Sequence, residues 1–249
     1  GYTAWIGIKN TVKADRANAV LATALQDSHV INESYAYFSG YDAYTINTAN
    51  LNTLKAKNMM FEVGTETCTW TFGRVINAAA EFNANGIQFA TNNDKVKALL
   101  DSVHVSNYLQ FHIDGAGALP GQAALFAYPG NGLLKAEAGK AGGEAYVYHY
   151  NAASGKLELV CDGAYFSDYG NMYTNTQMKD YLHMSGLTSK GYYVLATTKL
   201  PDSVTTGNVT SVNTWRVKTT DDLAKNAKET IDESEAGTTV SIDVPDGLK

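Results

Sequence analysis

The sequence predicts a mainly β fold with short helices, an α+β class with sandwich-like sheets. It is expected as one module over residues 1–249, or as two lobes without a firm internal boundary. Three observations carry that expectation. Glu144–Asp162 reads as a β-hairpin: Tyr146, Tyr148 and Tyr150 share one strand face, Val147 and His149 take the other, and Asn151, Ser154 and Gly155 supply turn chemistry. Leu157, Leu159 and Cys161 then alternate with Glu158, Val160 and Asp162 on the return strand. Further aromatic strands recur, at Thr67–Phe72 and Gly191–Thr198, with helical spacing confined to short stretches.

Taken in order, residues 2–8 alternate as a strand. Lys13–Gln26 is a helix with Ala17, Val20, Leu21, Ala24 and Leu25 on its apolar side. Tyr35–Tyr44 is an aromatic loop or strand edge, and residues 48–56 form a short helix. Met59–Val63 and Thr67–Phe72 make a hairpin with its turn at Gly64 and Trp70 directed into the core. Asn92 or Asn93 caps a helix running to Leu100, with Val96, Leu99 and Leu100 inward. Tyr108–Ile113 is a strand ended by Asp114-Gly-Ala-Gly; Pro120-Gly and Pro129-Gly-Asn-Gly are turns around the strand Ala123–Ala127. Thr174–His183 reads as a short helix, Val209–Val217 as a strand carrying Trp215, Asp221–Ile231 as a polar helix and Thr238–Val244 as a last strand. The stretches beginning at Thr91 and Thr219 each read as capped helix, strand and Asp-Gly turn, a duplicated unit that would give two lobes.

Composition bounds function. The net charge of −6 and pI near 5.3 argue against nucleic acid. No apolar run approaches the roughly 20 residues of a spanning helix, so membrane insertion is not expected. The chain opens on strand-like Gly1–Ile8 and stops after Lys249, which reads as a piece of a longer protein, so the absence of targeting signals carries no weight. Cys68 and Cys161 are two buried thiols or a single bridge. A chain with 16 Tyr and only 19 Lys plus Arg fits an extracellular protein that touches neutral polar polymers.

Catalytic signatures are absent: no His-Glu-x-x-His, no Gly-x-Ser-x-Gly, no phosphate-binding Gly-rich loop. The five histidines are scattered, and His112 with Asp114, two apart on one strand face, is a thin basis for a metal. Asp42, Asp94, Asp114, Asp162 and Asp168 fall in or near loops, but sequence cannot pair them across a cleft as a glycosidase requires. Binding is better supported. Sugar rings carry C–H patches that aromatic rings cover and rim hydroxyls that Asn and Asp bond. Tyr165, Asp168, Tyr169, Asn171 and Tyr173 supply one such set, and Tyr37, Tyr41, Asp42 and Tyr44 a second. Packing under long connections is the competing explanation for both sets. Trp5 and Trp215 fit core or surface equally, and Trp215 joins the ligand candidates. No cofactor and no metal is called for.

The order Thr69-Trp-Thr-Phe72, Leu119-Pro-Gly-Gln-Ala123, Tyr146-Val-Tyr-His-Tyr-Asn151, Ser154-Gly-Lys-Leu157 and Gly191-Tyr-Tyr-Val194, over roughly residues 45–200, resembles β-rich cell-surface modules of gut Firmicutes. It is most similar to modules of the starch adherence system proteins in ruminococcal amylosomes. That resemblance implies a non-catalytic hold on starch or maltooligosaccharide at the bacterial surface, with complex partners engaged through regions beyond these residues. Ile6-Gly-Ile-Lys9 followed by Ala14-Asp-Arg-Ala-Asn-Ala-Val-Leu21 resembles half a dockerin, but the Asp/Asn-rich calcium loop is missing. The rival readings are a protein-binding adhesin or scaffold module, in which Tyr forms a protein interface, and a glycoside hydrolase.

Overall fold

The computed structural model describes residues 5–8, 14–27, 35–39, 45–65, 68–89, 91–127, 144–166 and 181–206. The expected mainly β, α+β class holds: strands dominate and three short helices accompany them among these residues. They divide into two compact units, one built from residues up to Asn85 with Pro120–Ala123, the other from Gly86–Leu119 and the described residues from Ala124 onward.

The first unit begins with β1 (Trp5–Ile8), α1 (Ala14–Leu25) and β2 (Tyr35–Ser39). There follow β3 (Thr45–Ile46), α2 (Thr48–Ala56), β4 (Met60–Gly64), β5 (Cys68–Phe72) and β6 (Phe82–Asn83). β1, β2 and β4 are parallel neighbours. A parallel pair cannot be closed by a tight turn, so each junction carries a helix: α1 between β1 and β2, α2 between β2 and β4. α1 buries Ala17, Leu21 and Leu25 at helical spacing; α2 buries Leu51 and Leu54. Asn18 on α1 ties the helices together, taking hydrogen bonds from Asn47 N–H (3.0 Å) and from Asn50 Nδ2 (3.0 Å) and donating to Thr45 O (2.6 Å). β5 returns antiparallel to β4, completing the expected hairpin. Its connection lies just past Gly64, where Thr65 N–H donates to Cys68 O. Trp70 is fully buried as expected, donates from Nε1 to Ala84 O at 2.9 Å and meets Phe82 edge-on. β3 and β6 form a separate two-stranded ribbon, the second sheet of the described residues.

The second unit holds β7 (Ile87–Phe89), α3 (Asp94–Ser102), the 20-residue β8 (Tyr108–Ala127) apart from Pro120–Ala123, β9 (Glu144–Asn151), β10 (Lys156–Phe166) and β11 (Leu182–Ala196). β7 pairs with β8, β8 neighbours β11, and β9 and β10 form the expected hairpin. β11 pairs at its start with β10 (His183 opposite Tyr165) and at its end with β9 (Tyr193 opposite His149). Between those two pairings Gly186 and Gly191 take φ of +78° and +110°, which suit glycine. Tyr148 lies in the core under α3 with Val96, Leu100 and Leu157, and Tyr146 and Tyr150 pack beside it, so the shared Tyr face is a packing face.

Several expectations are corrected. β8 does not stop at Ile113: Gly115 and Gly117, at φ +102° and +85°, carry the strand through an exposed stretch instead of ending it. Pro120-Gly121 is not a turn. It lies within β8, where Pro120 O accepts from Ile76 N–H and Asn77 N–H, and a Cβ at Gly121 would fall 2.7 Å from Arg74 O. Cys161 does not share a face with Leu159, because a bulge shifts the register and sets Cys161 opposite Val147. Residues 35–39 are neither loop nor edge, since β2 has β1 on one side and β4 on the other. Leu182 and His183 are strand, not the end of a helix. Both cysteines are buried and free, so the bridge alternative falls. The Pro129 turn, the elements expected at 209–217, 221–231 and 238–244, and the second copy of the duplicated unit lie outside the described residues.

Candidate functional site

Of the expected ligand residues, Tyr41, Asp42, Tyr44, Asp168, Tyr169, Asn171, Tyr173 and Trp215 lie outside the described residues. Tyr37 belongs to β2 in the first unit and Tyr165 to β10 in the second. The half-buried Tyr165 ring stacks on His183 at 4.6 Å and 5°, and His183 also meets Phe126 at 4.3 Å. At least one face of Tyr165 is thus engaged within the protein.

The second unit carries a cleft of about 780 Å³ made by four separate segments: residues 92–95 opening α3, 112 and 115–117 in the middle of β8, 149–152 and 158 of the hairpin, and 189–192 of β11. The pairings of β8 with β11 and of β11 with β9 bring these segments together. Asn93 caps α3, its Oδ1 accepting from Lys95 N–H and Val96 N–H at 3.0 and 3.2 Å. Its own N–H donates to Gln110 Oε1 at 2.8 Å, which moors the capped end to β8.

Two imidazoles line the cleft, each beside a carboxylate. His112 Nδ1 lies 3.1 Å from Asp114 Oδ1, which also accepts from Gln88 Nε2 at 3.3 Å. A carboxylate accepts, so Nδ1 carries the proton and Nε2 remains the second polar atom of the ring. The sequence reading placed His112 and Asp114 on one face, and here they bond each other. Tyr192, half-buried, tilts against the His112 ring at 4.4 Å. His149 Nε2 sits 3.1 Å from Lys190 O; a carbonyl can only accept, so this nitrogen donates. His149 Nδ1 then faces Glu158 Oε2 at 4.0 Å, and Asn151 Nδ2 donates to Glu158 Oε1. Behind His149 lies Tyr193, fully buried, stacked on Phe111 and donating to Ser189 O. Burial pushes the Tyr193 phenol well above its ordinary value.

Gly115 makes room for one wall. A Cβ there would come within 2.9 Å of Lys190 Cδ, so the buried Lys190 side chain lies across a position that must lack one. Among the lining residues Lys95 and Lys190 balance Asp94 and Glu158, leaving no formal excess of either sign with the imidazoles neutral. Amides from Asn92, Asn93 and Asn151 and the rings of Tyr150 and Tyr192 complete a polar surface with aromatic faces. Among the described residues, no group of three or more His, Cys, Asp or Glu converges to hold a metal, and no helix is long and apolar enough to cross a membrane.

Sequence reasoning missed Lys190, Glu158, Asn151 and Tyr192 as site residues. A signal existed: period-two alternation sets His149 and Glu158 on the strand faces opposite Tyr148 and Leu159, directly across from each other in the hairpin. No protein-family model, curated protein or solved structure matches the chain.

Proposed function

We propose that the chain is a non-catalytic carbohydrate-binding module and that the cleft of the second unit takes a neutral glycan, with starch-type α-1,4-glucan as the ligand implied by the resemblance to starch adherence modules. The observation that carries this reading is the lining: formally charge-balanced, rich in amide and imidazole groups, with partly exposed Tyr rings. A charged ligand would gain little from balanced charge, whereas a sugar offers hydroxyls to Asn92, Asn151 and His112 and a C–H face to Tyr192. The volume falls in the range of small-molecule sites.

Glycosidases set two carboxylates across the scissile bond. Here Glu158 is engaged by Asn151 beside His149, and Asp94 takes the Asn92 amide at the start of α3. An extracellular place at the bacterial surface and complex partners bound through other regions follow from the same resemblance.

Affinity electrophoresis against a panel of soluble glycans tests the reading. Retardation by starch without released reducing sugar is expected. Substitution Tyr192→Ala should weaken binding about tenfold, roughly 1.4 kcal/mol. Released sugar would establish the hydrolase instead, and no retardation by any glycan would favour the adhesin.

A further inference from the structure

We infer that the site does not end at the main cleft but continues over Asn92 into a second hollow, so that it takes an internal stretch of a linear, neutral polysaccharide rather than a single small sugar. This rests on the carbohydrate reading of the main cleft and goes beyond it. The second hollow, about 360 Å³, lies in the same unit and shares Asn92 with the first. Asn92 therefore stands as a ridge between them. The ridge is braced: its Oδ1 accepts from Gln110 Nε2 at 3.4 Å, and its Nδ2 donates to Asp94 Oδ1 at 3.5 Å. Gln110 is a buried amide on β8, and its Oε1 also fixes Asn93, so the divide is held from beneath instead of hanging in solvent.

The second hollow repeats the chemistry of the first on a smaller scale. Half-buried Tyr108 supplies a ring; Thr91, Ser106 and Gln110 supply hydroxyl and amide groups; Lys97 and Asp101 pair at 2.6 Å and cancel in charge. Two neighbouring hollows of like, charge-balanced polarity suit a polymer that repeats one neutral unit. A ligand confined to one hollow would have no use for the second, and a linear chain crossing the Asn92 ridge would touch both.

The test is calorimetric titration of the full chain with linear α-1,4-glucan oligosaccharides of increasing length, alongside Ser106→Trp and Asp101→Trp. Both substituted positions are exposed and line only the second hollow. Affinity of the unaltered chain should rise about tenfold from short to long oligosaccharides. At least one of the two Trp variants, with a melting temperature unchanged, should abolish that rise while leaving short-chain affinity intact. Flat affinity across lengths, or a full length-dependent gain in both folded variants, would overturn the second hollow and leave the first standing. No binding at any length would remove the carbohydrate reading itself, and this extension with it.

Discussion

The Tyr148 hydroxyl accepts from Leu200 N–H at 2.9 Å inside the core under α3. Tyr148→Phe keeps the ring but strands a buried donor, so a loss of about 1–3 kcal/mol in urea unfolding is expected. Burial pushes the Tyr148 phenol above its ordinary value, tempered by the Leu200 bond. The sign follows from linkage. A group whose folded pKa is raised contributes stability that is fully present below its unfolded value, near 10 for tyrosine, and lost as pH rises through the folded value. Unfolding midpoints measured from pH 8 to 11 should thus fall above about pH 10. Period-two alternation made the Tyr146–Tyr148–Tyr150 face legible in advance. The bulge that turns Cys161 away from Leu159 was not, because a single inserted residue leaves no mark on a hydrophobic pattern. The His112–Asp114 bond was half legible: spacing put both on one face, but the Tyr192 ring came from 80 residues further on.

At the scale of elements, α3 was legible to within one residue of its cap, Asn92 or Asn93, and the cap, Asn93, has a second duty. Asn93 satisfies two N–H groups and anchors to Gln110, so the end of the helix that forms one cleft wall depends on it. Asn93→Ala should cost about 1 kcal/mol of stability in thermal or urea unfolding. β8 was the opposite case. Gly115, Gly117 and Pro120-Gly121 carry strong stop signals, yet the strand runs on. Gly115 clears Lys190 and Gly121 lets Arg74 O approach, requirements that appear only once distant chain segments are in place. Gly121→Ala should lower the melting temperature by several degrees, because the obstructing atom is backbone and cannot swing aside. Parallel pairing of β1, β2 and β4 was also illegible, since alternation reads the same in either direction.

For the molecule as a whole, class was readable because many short aromatic and β-branched runs outnumber the helical ones. The site was not, because four segments spanning residues 92–192 converge only through strand pairing. Reading from aromatic density favoured local clusters such as Tyr165–Tyr173. The cleft instead mixes two Tyr rings with amides, imidazoles and balanced charge, a composition no single stretch of sequence displays.

The central claim is that the cleft between α3, β8, β9 and β11 is where a neutral glycan sits. Amide chemical-shift mapping of the isotope-labelled chain, titrated with a linear α-1,4-glucan oligosaccharide, addresses it most directly. The expected result is saturable shifts centred on Asn92, His112, Asn151 and Tyr192. Saturable shifts centred on the first unit, with those four unmoved, would contradict it.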